Sequence, residues 1–306
     1  MAGGLAYFMP AAQLAIESTG QVLPTPSPTD LLLSPTPSQN SPSPATPTGA
    51  FTVLLLGSDD DSKFTSEHVL TQSMILVRVV PSTKQVTMLS IPRDLYVRLS
   101  TGGYGKVMDA YSYGGPGAAI ATVSQNFGVK INDYIWIGLL GLVKLIDAIG
   151  GIDVVTSHPV LDDYYPADVS SSWAYDYERV AVLGGPQHLN GIQAMQYVRS
   201  RHGDLQSDFG RSQRQQEVLT AIRKKAKQLS PEDLPAISTV LGKEMKTSIS
   251  ISEVAGMLPL AGSLDNLDQI HQVFLLPPYT HGCRCPQTYV NPDWGLILPL
   301  VHQYFP

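Results

Sequence analysis

The 306-residue sequence holds only two cysteines, Cys283 and Cys285. That pair builds neither a metal-finger spacing nor a catalytic-cysteine signature. A disulfide across one intervening residue is tight, so a bridge and two separate thiols both stay open, an oxidising compartment favouring the bridge. Charge is also sparse. Asp, Glu, Lys and Arg make up 15% of the chain, and the formal net charge is -6. A nucleic-acid binder shows a basic excess or stripe; here there is neither, nor a helix-turn-helix pattern. Long apolar runs are missing too. Residues 1–22 are mildly apolar, but the run is too short to span a bilayer, and Pro10 interrupts it. No basic residue precedes it as in a signal peptide. It reads either as the remnant of an export or anchor segment whose beginning is missing, or as a disordered tail. There is no internal repeat, Ser-His-Asp signature, zinc motif or dinucleotide fingerprint. Gly105-Lys106 lacks the spaced upstream glycine and the following Ser/Thr of a P-loop.

What is present is apolar content, 43% of the residues, enough for a substantial core. Residues 23–49 (LPTPSPTDLLLSPTPSQNSPSPATPTG) are rich in Pro, Ser and Thr. Such a segment cannot form a core and favours polyproline geometry, with a reach of up to roughly 80 Å at about 3.1 Å per residue. It reads as a stalk or a plain disordered tail. The folded unit then covers residues 50–306.

Within that unit, apolar runs at 51–57, 74–80 and 86–91 predict strands, the last two as a hairpin. A helix over 116–127 has Pro116 early and Gly128 past its end. A short strand at 134–137, an apolar helix through Leu139, Leu142, Val143, Ile146 and Ile149, and a strand at 152–156 predict a strand–helix–strand unit. Part of the sheet is then parallel, and the class is α/β. Residues 157–186 read as an irregular insertion. Short helices near 232–242 and 252–262, a strand at 270–276 and a final helix opened by Asn291-Pro292 complete the chain.

One stretch stands out, Asn190 to Gln216: NGIQAMQYVRSRHGDLQSDFGRSQRQQ. It packs Arg199, Arg201, Arg211 and Arg214 close together in an acidic protein. Crowded like charges call for an anion. Asn190 with Gln193 forms a capping box. For Arg199 and Arg201 to share one face the chain must be extended there, so the helix is expected to stop near Tyr197. A second helix, capped by Asp208, puts Arg211, Gln215, Val218 and Ile222 on one inward face. Guanidinium forks beside a helix N-terminus suit phosphate oxygens. The alternative is pairing with protein carboxylates or solvation at the surface. Arg93 and Asp59 each lie just past a strand end, where α/β sheets collect ligands. A carboxylate among arginines and phosphate points to Mg²⁺ and phosphoryl transfer.

The runs LNGIQAMQYVRSRH and DFGRSQRQQ closely resemble the LytR–CpsA–Psr family of bacterial cell-envelope proteins, and the resemblance covers most of residues 50–229. It implies a three-layer α/β/α domain with a mixed central sheet and an apolar tunnel for a lipid. It also implies a magnesium-dependent phosphotransferase at the outer face of the cytoplasmic membrane. Such an enzyme moves a glycopolymer phosphate from a polyprenyl-pyrophosphate carrier to a peptidoglycan hydroxyl. By the same resemblance Asp59 is a metal ligand and catalytic. Arg93, in Pro-Arg-Asp, is catalytic and binds pyrophosphate, together with Lys106, Arg199, Arg201, Arg211 and Gln215. Where the family has Arg-Thr/Ser-Asp-Thr, this chain reads Leu70-Thr71-Gln72-Ser73. Asp60, Asp61 or Glu67 would then replace the missing carboxylate, or the metal binds weakly, or the protein binds its lipid without turning it over.

Overall fold

The computed structural model describes residues 47–58, 70–156, 158–167, 176–200, 207–226, 228, 234–242, 244–249, 253, 270–282 and 289–306. The elements run β1 (Phe51–Ser58), β2 (Thr71–Val80), β3 (Gln85–Ile91), β4 (Tyr96–Arg98), β5 (Tyr104–Lys106), α1 (Asp109–Phe127), β6 (Asp133–Ile137), α2 (Leu139–Ala148), β7 (Ile152–Thr156), β8 (Val160–Pro166), β9 (Tyr177–Val182), β10 (Gly185–Leu189), α3 (Gly191–Arg199), α4 (Ser207–Ala226), α5 (Leu234–Leu241), β11 (Met245–Thr247), β12 (Ile270–Phe274), β13 (Thr280–Gly282), β14 (Val290–Pro292) and α6 (Trp294–Tyr304).

Six strands form the central sheet in the order β11-β6-β1-β2-β3-β12. β1–β2 and β2–β3 are antiparallel, whereas β1–β6 and β3–β12 are parallel. Alternation along these strands sends side chains to two faces. Leu54, Leu56, Met74, Leu76, Leu89 and Trp136 join one core with residues of α1 and α6. Val53, Ile75, Val77, Val86, Met88 and Ile135 join a second core with residues of α2, α3, α4 and α5. The domain is the expected α/β type with a mixed sheet between two helical layers.

Several local features differ from the sequence reading. α1 begins seven residues before Pro116 and is broken by non-helical backbone at Gly114 and Gly115, where the second glycine has φ 64°. Gly128 ends it in the left-handed conformation, as expected. The unit β6–α2–β7 is not a parallel crossover, because β7 pairs antiparallel with β10 in a separate ribbon. Its burial alternates strictly, with Asp153 and Val155 outward. A parallel strand covered on both faces is apolar throughout. The parallel contacts arise instead between β1 and β6 and between β3 and β12. The expected irregular insertion at 157–186 contains the antiparallel pair β8–β9. Most of the expected helix near 252–262, and Cys283 and Cys285, lie outside the described residues. Among the described residues no helix is long and apolar enough to cross a membrane.

Candidate active site

The site is built around α4 and the ends of β2 and β3. Asn190 caps α3 with both hydrogen bonds of the predicted capping box in place. α3 continues to Arg199, two residues beyond the expected stop, and Ser200 turns to an extended ψ of 138°. Arg199 therefore sits on the last helical turn, its guanidinium 5.7 Å from the Tyr165 ring centroid. α4 starts at Ser207, so Asp208 lies inside its first turn. Its predicted inward face is observed. Arg211, Val218 and Ile222 are buried, and the Ser73 hydroxyl donates to Gln215 Oε1 at 2.9 Å.

The Arg-Gln-Gln run at 214–216 fastens α4 to three neighbours. Arg214 is 5% exposed. It donates to the carbonyls of Tyr197 at 2.7 Å and Ser200 at 2.6 Å. Carbonyls at a helix C-terminus are natural partners for a cation. Arg214 thus braces the end of α3. Gln215 ties α4 to β2. Gln216 Nε2 donates to the Ser90 hydroxyl on β3 at 2.7 Å.

Three hollows meet beside this brace. The first, of about 110 Å³, lies between the sheet and α2, α3 and α4. Leu55, Ile75, Ile135, Leu142, Val218 and Leu219 line it, and Gln72, Ser73, Arg199 and Gln215 form its polar end. The second, of about 210 Å³, is bounded by Ser90, Pro92, Arg93, Asp94, Arg211 and the segment after β12. The third, of about 190 Å³, brings Arg93, Arg199 and Arg211 together with Gln72, Gln215, Asp162 and Tyr165. Gln72 and Gln215 line all three. The separate segments carrying Arg93, Arg199 and Arg211 therefore converge, and an apolar hollow leads inward from the point where they meet.

A β-bulge puts Gln72 at that junction. Gly57 faces Ser73 across the β1–β2 ladder, but Ser58 faces Thr71, so the register skips Gln72. One extra residue reverses the alternation. Thr71 then turns away to donate to the Met108 carbonyl at 3.2 Å, while Gln72 and Ser73 both border the hollows.

Lys106 stands elsewhere. Its Nζ donates to Asp94 Oδ1 at 2.6 Å, and Asp94 Oδ2 accepts from Arg93 Nε at 3.3 Å. Burial alone would raise the Asp94 carboxyl. The Lys106 hydrogen bond and the charges of Arg93 and Lys106 outweigh it and hold the group below the usual carboxylate range. Lys106 lines none of the three hollows and reaches the site through Asp94 and Arg93. Asp59 and Arg201 lie outside the described residues, as do Asp60, Asp61 and Glu67.

Sequence reasoning missed Asp162 and Tyr165. Asp162 is 1% exposed; it accepts from the Ser200 hydroxyl at 3.1 Å and from the Tyr164 amide at 3.1 Å. The signal was the alternation of VLDDYY, masked because β8 turns Asp162 inward and Leu161 outward.

Residues 29–275 match the LytR_cpsA_psr family. The chain is a member of that family. Biofilm regulatory protein A of Streptococcus mutans serotype c is 38% identical over 215 residues, 66% of this chain and 50% of that protein. The polyisoprenyl-teichoic acid–peptidoglycan teichoic acid transferase TagU of Enterococcus faecalis is 32% identical over 206 residues, 67% of this chain and 63% of that protein. This LytR_cpsA_psr chain thus spans between half and two thirds of the length of these relatives. The crystal structure of Bacillus subtilis TagV superposes with a TM-score of 0.68 at 25% identity, covering 85% of this chain and 97% of that one. TagT bound to LI-WTA gives a TM-score of 0.65 at 25% identity, covering 83% and 89%.

Proposed function

We propose that this protein transfers a glycopolymer phosphate from a polyprenyl-pyrophosphate carrier to a hydroxyl of peptidoglycan. It works in the bacterial cell envelope, at the outer face of the cytoplasmic membrane and against the membrane surface. The observation that carries the reading is the joining of an arginine-lined hollow to an apolar one. A diphosphate with a long isoprenoid tail is both a double anion and a hydrocarbon, and few other ligands need both compartments at once. The relatives named as teichoic acid transferases, and TagT bound to LI-WTA, support the same chemistry. No basic stripe speaks for a nucleic-acid partner.

In this reading Arg93, Arg199, Arg211 and Gln215 grip the diphosphate, joined by Arg201. Their fixed positive charge stabilises the oxygens on which charge builds in the transition state. The branched aliphatic walls of the first hollow take the near end of the tail. Lys106 and Asp94 hold Arg93 in place. Mg²⁺, when bound, neutralises phosphate oxygens and the leaving group. Asp59, which follows the last residue of β1, would hold it. The Gln72 amide oxygen at the junction fits a hard cation that takes oxygen ligands, although an amide supplies no charge and accepts no proton.

The neutral amide at Gln72 favours a second reading, a carrier-binding protein without turnover. One experiment separates the two. The purified domain is given a lipid-pyrophosphate glycan, a peptidoglycan acceptor and Mg²⁺, and release of polyprenyl phosphate is followed. Turnover that disappears in Asp59→Ala is the expected result. Tight carrier binding with no release would leave the second reading standing.

A further inference from the structure

A carboxylate that borders an anion site needs a reason to be there. Asp162 lines the arginine hollow with Arg93, Arg199 and Arg211, and a negative charge in that place repels phosphate oxygens. It is 1% exposed, so its ionised form is costly unless donors meet it. Donors are present: Oδ1 accepts from the Tyr164 amide and Oδ2 from the Ser200 hydroxyl, both at 3.1 Å. With both oxygens engaged, the group is placed to hold its donors still.

The ribbon around it is shaped for that task. Asp162 faces Val180 and Tyr165 faces Glu178, so Asp163 and Tyr164 together oppose Arg179. This bulge doubles the outward positions, and two side chains three residues apart, Asp162 and Tyr165, both turn inward. Three contacts then join the ribbon to the last turn of α3. Glu178 accepts from Gln196 Nε2 at 2.6 Å. The Tyr165 ring carries the Arg199 guanidinium, 5.7 Å from its centroid. Asp162 takes the Ser200 hydroxyl. Ser200 is also held at its carbonyl by Arg214. It is therefore fixed from two sides at the residue where α3 gives way to extended backbone. Arg199, one residue before, borders both the apolar hollow and the arginine hollow.

We propose that Asp162 and Tyr165 are positioning residues, and that the bulged β8–β9 ribbon aims Arg199 at the junction of the two hollows. Tyr165 acts through its ring and Asp162 through Ser200. The proposal rests on the diphosphate reading for the identity of the ligand, but not for the aim of the side chain.

Affinity for a short polyprenyl diphosphate is measured by calorimetry in the parent chain and in Tyr165→Leu, Tyr165→Phe and Asp162→Ala. Each variant is also paired with Arg199→Met, and thermal unfolding verifies the fold. Tyr165→Leu and Asp162→Ala are each expected to weaken binding about tenfold, whereas Tyr165→Phe, which keeps the ring, rescues it. Neither loss remains in the Arg199→Met background, because a residue that acts through Arg199 then has nothing to act on. A carboxylate felt only through its charge gives the opposite sign, since Asp162→Ala would then tighten binding. Should Asp162→Ala fail to fold, Ser200→Ala cuts the same link and leaves the carboxylate in place. The ligand-free readout is the Nε–H NMR resonance of Arg199, assigned by its disappearance in Arg199→Met. It shifts in Tyr165→Leu and Asp162→Ala and stays near its parent position in Tyr165→Phe. Unchanged or tighter binding in the folded variants, losses that persist without Arg199, or an unmoved Arg199 resonance would each overturn the proposal. A parent chain that does not bind the diphosphate removes the diphosphate reading instead, and the resonance then decides the positioning by itself.

Discussion

The two faces of the central sheet are built from the same strands, yet they are covered differently. On one, α1 and α6 bring rings. Phe127 meets Trp294 edge-on at 5.4 Å, and Tyr111 stacks on Trp136 at 6.0 Å. On the other, α2, α3 and α4 contribute Leu139, Leu142, Val198, Val218 and Leu219, and among the described residues no aromatic side chain lines the first hollow. Hydrophobicity is similar on both. On the second face, side-chain volume and shape leave the first hollow unfilled, because close packing leaves no slack for missing atoms. The open face also carries the arginines, so the cavity and its polar end belong to one set of helices.

The comparison breaks most severely if the ring-bearing face is emptied. Phe127 is fully buried, and Phe127→Ala is expected to cost about 3–5 kcal/mol in denaturant unfolding while leaving carrier affinity intact in the folded fraction. On the open face, Arg211→Met is expected to slow transfer by about 10²–10³-fold with little change in thermal midpoint. Arg214, three residues along the same helix, gives the opposite pattern. Arg214→Met leaves two carbonyls at the end of α3 without their donor and costs about 1–3 kcal/mol of stability, with diphosphate affinity nearly unchanged. Equal losses of affinity in Arg211→Met and Arg214→Met would refute the division of labour drawn between them.

A milder change probes the hollow itself. Val218→Phe adds volume where the open face has room, so stability should move by less than about 1.5 kcal/mol. Affinity for a long-chain carrier should fall about tenfold, or about 1.4 kcal/mol, with a short-chain carrier little affected. The smallest effect is the pH dependence of the Asp94 cluster. The folded state lowers the Asp94 carboxyl. Its contribution is therefore complete above the unfolded carboxylate value of about 3.9 and is lost as pH falls through the lower folded value. The stability gap between the parent and Asp94→Asn should be constant at neutral pH and should narrow only in acid.

Much of the fold could be read from the chain because the central strands are long apolar runs and because Asn190, Gln193 and Gly128 end helices by local chemistry. The inward face of α4 was legible for the same reason, since periodicity alone places Arg211 with Val218 and Ile222. The pairing of β7 was not legible. Five residues between a helix and a loop do not say which edge they join. Nor was Gln72 at the junction, because a bulge depends on the ladder across from it and leaves no mark in the strand's composition. Arg214 and Arg211 look alike in sequence, and only the position of the end of α3 separates a brace from a site residue. Asp162 was hidden by a strand whose outward positions are as apolar as its inward ones.

The order of the sheet has a consequence for how the protein comes to be made. Its core strands are complete early in synthesis, but both flanks are supplied late, by β11 and by β12, from the C-terminal part of the chain. Until then β6 and β3 each show an uncovered hydrogen-bonding margin, the kind of surface on which chains stick to one another. A nascent chain stalled before Met245 would therefore hold a nearly finished core and two adhesive borders, and would need a holding partner to remain soluble.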